Sequence, residues 1–149
     1  MPDPSPARPA VLVLNGPNLD RLGTRETSIY GAATLADIEA DLRGRFPEVT
    51  LRFEQSNHEG VLIEALHAAD TVETAGVVFN PGGYAHTSVA LRDAVASIST
   101  PVVEVHISNV YQREGFRHTS LLSAVAAGVI VGFGTEGYRL GVQHFAAHV

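Results

Sequence analysis

Two observations predict an α/β fold, a parallel sheet covered by helices on both faces. Short apolar, β-branched runs alternate with stretches of helical periodicity along nearly the whole chain, the pattern of βαβ units joined by right-handed crossovers. The chain also has the size and composition of one folded domain: 149 residues, 45% hydrophobic and 17% charged.

The elements follow in order. The opening MPDPSPARP is proline-rich and lacks an apolar signal core, so residues 1–9 read as a disordered arm before a single domain over 10–149. AVLVL (10–14) is a buried strand that runs into turn residues. Thr34 and Asp37 carry a helix-start signal, and Leu35, Ile38 and Leu42 then share one helical face before Pro47. VTLRFEQ (49–55) alternates as a strand, and HEGVLIEALHAAD (58–70) is a helix with Leu62, Ile63 and Leu66 inward. GVVFN (76–80) is a third strand, TSVALRDAVASI (87–98) a helix, and PVVEVHIS (101–108) a fourth strand. An irregular segment leads to a fifth strand, GVIVGFG (128–134), and a terminal helix through YRLGVQHFAAHV. Five strands at this length point to a flavodoxin-like three-layer sandwich with strand order 2-1-3-4-5.

Composition excludes several classes of function. A formal charge of −6 argues against a nucleic-acid partner, and no apolar run approaches a membrane span of roughly 20 residues. No secretion signal is read, so the expected location is the cytoplasm. With a Cys count of 0 the chain has no disulfide, thiolate nucleophile or Cys-type zinc site. All 10 of its Lys+Arg residues are Arg. Without a lysine no side-chain Schiff base can form.

Polar residues collect at the carboxyl ends of the strands, where open parallel sheets bind ligands. Asn15 and Asn18 follow the first strand, Ser56, Asn57 and His58 the second, Asn80, Gly82 and His86 the third, and His106, Ser108 and Asn109 close the fourth. Glu104 and His106 stand two apart on one strand, so their side chains share a face. A carboxylate so placed orients the imidazole and favours its protonated form; the alternative is a strand-end His bonded to backbone. Tyr30 lies five residues beyond Arg25, and QREGFRH supplies Arg113 and Arg117. A free phenol titrates near 10, so a tyrosine base at neutral pH needs close cations to stabilise its phenolate. The alternative is amphipathic packing of the Tyr beside solvated Arg.

Three features read as decoys. GFGTEG (132–137) matches a dinucleotide fingerprint, but the chain has no room for the return strand and acidic ribose ligand, so it is a tight turn into the last helix. His144 and His148 share a helical face without a third ligand in view and read as solvated. Asp93, by its position alone, reads as a helix charge.

Four stretches together carry a family resemblance: LNGPNL with LGTRE and YG, then QSNHEGVLI, NPGGYAHTSVALRDA, and PVVEVHISN with REGFRHTS. In this order and over nearly all the chain beyond the arm, the sequence resembles the type II 3-dehydroquinate dehydratases. The resemblance implies a lysine-free elimination of water from 3-dehydroquinate, giving 3-dehydroshikimate. Tyr30 would be the base, supported by Arg25 and Arg113. Asn18 would lie by the enolate, and His106, oriented by Glu104, would be the acid. Asn80, the Ile107 backbone and the Ser108 hydroxyl would hold the substrate carboxylate, and Gly82 would belong to the same substrate site. His86, Arg117 and Asp93 would hold its hydroxyls, Asp93 reaching in from a neighbouring subunit. The family pattern further implies a dodecamer of four trimers and no metal or organic cofactor. The chain departs from that pattern at Asp20, Arg21, Gly83, Tyr111 and Gln112, none of them given a chemical role. A second reading is a non-catalytic flavodoxin-like module that binds phosphate or a nucleotide through glycine loops and helix N-termini. A third is a structural oligomer.

Overall fold

The computed structural model describes residues 8–24 and 26–147. Most of the expected arm lies outside the described residues, as do Arg25 and His148.

Five parallel strands run in the order β2-β1-β3-β4-β5. They are β1 (Ala10–Asn15), β2 (Thr50–Gln55), β3 (Thr74–Asn80), β4 (Val102–His106) and β5 (Gly128–Val131). The helices are α1 (Thr27–Tyr30), α2 (Leu35–Arg45), α3 (Glu59–Ala69), α4 (Val89–Ser97) and α5 (Glu136–Ala147). The period of two along each strand sorts the core into two layers. Val11, Val13, Val78, Val103 and Val105 pack with Leu42 of α2 and Tyr138, Val142 and Phe145 of α5. Leu12, Leu14, Val77, Phe79 and Val102 face the other way, onto Leu62 and Leu66 of α3 and Leu91 and Val95 of α4. Both layers are dry, so the central strands read as continuous apolar runs rather than alternating ones.

Local signals start and stop the elements. Thr34 and Asp37 form a reciprocal capping box on α2: Asp37 N–H donates to Thr34 Oγ1 at 3.1 Å, and Thr34 N–H to Asp37 Oδ2 at 3.0 Å. This holds the exposed Asp37 carboxyl below its ordinary range, through the bonds from the Thr34 backbone and then its side chain. On α4 the Ser88 hydroxyl accepts from Leu91 N–H at 2.9 Å. β5 ends at Val131, short of the expected 134, because Gly132 turns to φ 90° and its N–H donates to the His106 carbonyl at 3.1 Å. The GFGTEG stretch is the turn into α5. β4 spans Val102–His106 rather than 101–108: Pro101 has no N–H for the ladder, and the Ile107 carbonyl accepts from Gly134 N–H. The irregular segment after β4 contains three short 3-10 turns, and Tyr30 ends the four-residue helix α1, which periodicity over so short a span does not reveal. No helix among the described residues is long and apolar enough to cross a membrane.

Candidate active site

The carboxyl edge of the sheet opens into a cleft of about 140 Å³. Its floor comes from the ends of β1 and β3, where Asn15 and Asn80 are register partners. Gly16 N–H donates to the Asn80 carbonyl at 2.8 Å. This brings the two following loops so close that a Cβ on Gly16 would lie 2.5 Å from the Pro81 oxygen. Only glycine permits that approach. Asn18 stands beyond it with φ 68°, a left-handed conformation that Asn tolerates, and its N–H donates to Asn57 Oδ1 at 2.9 Å.

On one wall Glu104 and His106 project from β4 toward the α3–α4 layer, as their spacing requires. His106 Nε2 donates to Glu104 Oε2 in a short contact, and the second carboxylate oxygen accepts from Ser123 Oγ at 2.9 Å. Glu104 is 1% exposed and His106 7%. Burial pushes the Glu104 carboxyl up, but His106, by hydrogen bond and charge, together with the Ser120 and Ser123 hydroxyls, outweighs this and holds it below its ordinary value. The carboxylate therefore stays ionised behind the ring, and the bond through Nε2 leaves Nδ1 as the imidazole's other proton site. The His86 ring stacks on His106 with centroids 6.2 Å apart, held by its own Nδ1–H donating to the Thr119 carbonyl at 2.8 Å.

Opposite chemistry enters from the 3-10 segment after β4. Arg113 Nη1 donates to the Tyr30 hydroxyl oxygen at 2.5 Å, and its guanidinium carbon lies 5.1 Å from the ring centroid. The same nitrogen approaches Ser108 Oγ at 3.4 Å. A charged donor on the phenol oxygen stabilises negative charge there. Arg117 also reaches the cleft, with its Nε–H committed to Glu114.

Of the residues singled out from sequence, Asn18, Tyr30, Asn80, Gly82, His86, His106, Ile107, Ser108, Arg113 and Arg117 all line this cleft. Glu104 sits directly behind His106. Asp93 does not line the cleft: it lies on α4, paired with Arg92, with its side chain 63% exposed. Gly82 N–H is already committed to Asn80 Oδ1 at 3.1 Å, so Gly82 shapes the site through its backbone turn. The sequence reading missed Ser120 and Ser123, which follow no strand end, and Tyr138 on α5. Tyr138 is fully buried; its hydroxyl donates to Asn15 Oδ1 at 2.5 Å and accepts from Asn80 Nδ2 at 2.9 Å. The available signal was a phenol on the apolar face of the last helix, in step with Val142 and Phe145. Among the described residues no group of three or more His, Cys, Asp or Glu side chains is arranged to hold a metal.

Comparison with known proteins agrees with this geometry. The family model described as dehydroquinase class II matches residues 9–146. The chain is 58% identical over 142 residues to the 3-dehydroquinate dehydratase of Bacillus pumilus, covering 93% of this chain and 95% of that one. It is 55% identical over 139 residues to the 3-dehydroquinate dehydratase of Bacillus subtilis, covering 91% and 93%. The crystal structure of a type II dehydroquinase from Butyrivibrio crossotus superposes with a TM-score of 0.89 at 42% identity, over 93% of this chain and 97% of that one.

Proposed function

The chain belongs to the type II dehydroquinases and dehydrates 3-dehydroquinate, and from that premise we propose that its two charged pairs divide the elimination between them. The phenol–guanidinium pair is the base. Tyr30, as phenolate, takes the proton from the carbon next to the substrate ketone, with Arg113 stabilising the anion before transfer. Arg25 shares that task. Negative charge then moves to the ketone oxygen as an enolate, beside Asn18 and an ordered water. The enolate collapses to form the carbon–carbon double bond as the β-hydroxyl leaves. His106 supplies the proton for it, and Glu104 steadies the imidazolium beforehand and holds the ring in place. Asn80, the Ile107 backbone and Ser108 hold the carboxylate; His86 and Arg117 hold the ring hydroxyls. One proton leaves carbon and one joins hydroxide, so water is the sole by-product and no electrons are exchanged with another molecule.

The observation that carries this reading is that both pairs border one cleft at the carboxyl edge of the sheet. The product is a conjugated enone, so turnover is followed as a rise in ultraviolet absorbance. Tyr30→Phe should lower kcat by about 10²–10⁴-fold, the usual worth of a positioned acid or base. Near wild-type turnover in that variant would remove Tyr30 from the role.

The assembly is a dodecamer of four trimers in the cytoplasm, with Asp93 entering a neighbouring subunit's cleft. The exposed position of Asp93, outside its own chain's cleft, supports that role. Light scattering that gave a monomer at assay concentration would overturn it.

A further inference from the structure

We propose that Tyr138 is a positioning residue that, together with Gly82 N–H, locks which end of the Asn80 amide faces the cleft, and with it the preference of the site for a carboxylate. The inference rests on the reading of Asn80 as a carboxylate ligand. The argument is one of hydrogen-bond polarity. A backbone N–H only donates, so the partner of Gly82 N–H, 3.1 Å away, is the carbonyl end of the Asn80 side chain. The other end is then the NH₂ group, which donates one hydrogen to the Tyr138 oxygen at 2.9 Å. Having accepted there, the phenol turns its single hydrogen to Asn15 Oδ1 at 2.5 Å. Each step follows from the one before, and the chain of bonds runs in one direction from Gly82 to Asn15.

All three side chains are nearly dry: Tyr138 is 0% exposed, Asn15 2% and Asn80 3%. Buried polar groups carry a large penalty for a missing partner, so the network has one low-energy arrangement rather than several. In it the Asn80 nitrogen keeps a second N–H, and because Asn80 lines the cleft this is the hydrogen it has to offer an anion. Burial pushes the Tyr138 phenol well above its ordinary range against the opposing bond from Asn80, so the hydroxyl proton that orders the network is retained throughout the working pH range. The geometry behind this is tertiary. Asn15 and Asn80 are register partners at the ends of adjacent strands, and α5 lays the phenol across both amides.

Without the hydroxyl, the inner N–H of Asn80 loses its partner, and only the bond from Gly82 N–H still opposes a turn of the amide that brings its oxygen toward the substrate, where a carboxylate is repelled. The test compares quinate, the reduced form of the substrate, with its primary carboxamide as competitive inhibitors. For Tyr138→Phe we expect KM for 3-dehydroquinate to rise about five- to tenfold with kcat changed less than about threefold, the loss of one hydrogen bond's net worth. The quinate preference, as the ratio of the two inhibition constants, should fall by the same factor. Asn15→Ala, which removes the acceptor that directs the phenol hydrogen, should do likewise and serves if Tyr138→Phe does not fold. A folded Tyr138→Phe or Asn15→Ala enzyme that keeps the wild-type ratio, while Asn80→Ala loses it, overturns the role of Tyr138. If Asn80→Ala itself keeps the ratio, the carboxylate reading of Asn80 falls first, and this inference with it.

Discussion

Replacing Glu104 by Gln isolates what the charge behind His106 contributes. The substitution is nearly isosteric in a site where Glu104 is 1% exposed, so packing is retained. Hydrogen bonding is retained as well. The Gln carbonyl can accept from His106 Nε2–H, and its NH₂ can donate to the Ser123 oxygen that now sits 2.9 Å from Oε1. What is lost is the difference between a charge-assisted and a neutral hydrogen bond, about 1–2 kcal/mol, as the imidazole takes up its second proton. At 1.36 kcal/mol per tenfold, kcat should fall roughly 5- to 30-fold. KM should change less than about twofold, because Glu104 is screened from the cleft by the ring. The assay is the ultraviolet rise of the enone under saturating and limiting substrate. Unchanged kcat, or a loss confined to KM, would refute the claim that this carboxylate supports the acid.

The same variant makes a second, thermodynamic measurement available. The Glu104 carboxyl is held below its ordinary value in the folded protein, so in the interval between its folded and unfolded pKa the unfolded chain binds more protons. Its contribution to stability is therefore present above the unfolded value of about 4.3 and lost as pH falls through the folded value. Glu104→Gln lacks that component. Urea unfolding should show the wild-type enzyme losing stability relative to the variant as pH drops below about 4.5. A gap between the two that stays constant across that range would contradict it.

Other outcomes are equally direct. Arg113→Lys keeps a positive charge but gives up the planar guanidinium that bonds the Tyr30 oxygen and covers its ring, so kcat should drop by at least about tenfold at the pH optimum; a neutral result would show that charge alone suffices. Gly16→Ala pushes a methyl to 2.5 Å from the Pro81 oxygen and should cost about 1–3 kcal/mol of stability in denaturant unfolding, together with activity, because the Asn18 and Gly82 loops must part. Thr34→Ala removes the cap of α2 at a residue outside the cleft lining, and should cost about 0.5–2 kcal/mol in the same measurement with a smaller effect on kcat and KM than any of the cleft substitutions.

The sequence by itself determined whatever depends on neighbours within a few residues of chain. Strand and helix periodicity gave the layer order, Thr34 and Asp37 marked a helix start, and the spacing of Glu104 and His106 put both on one face of a strand. Motif order carried the family and the reaction. Short 3-10 turns and the four-residue α1 were illegible, because one turn is too brief for a period to register. What only the tertiary structure decided was which distant groups meet. Sequence offered Arg25, Arg113 and Arg117 as partners for Tyr30; among the described residues, packing brings Arg113, 83 residues away, onto the phenol and commits the Arg117 Nε–H to Glu114. Nor does any local pattern join Tyr138 to Asn15 across 123 residues. Such contacts depend on sheet register and on how closely a helix seats against it, and both are set by the whole core at once.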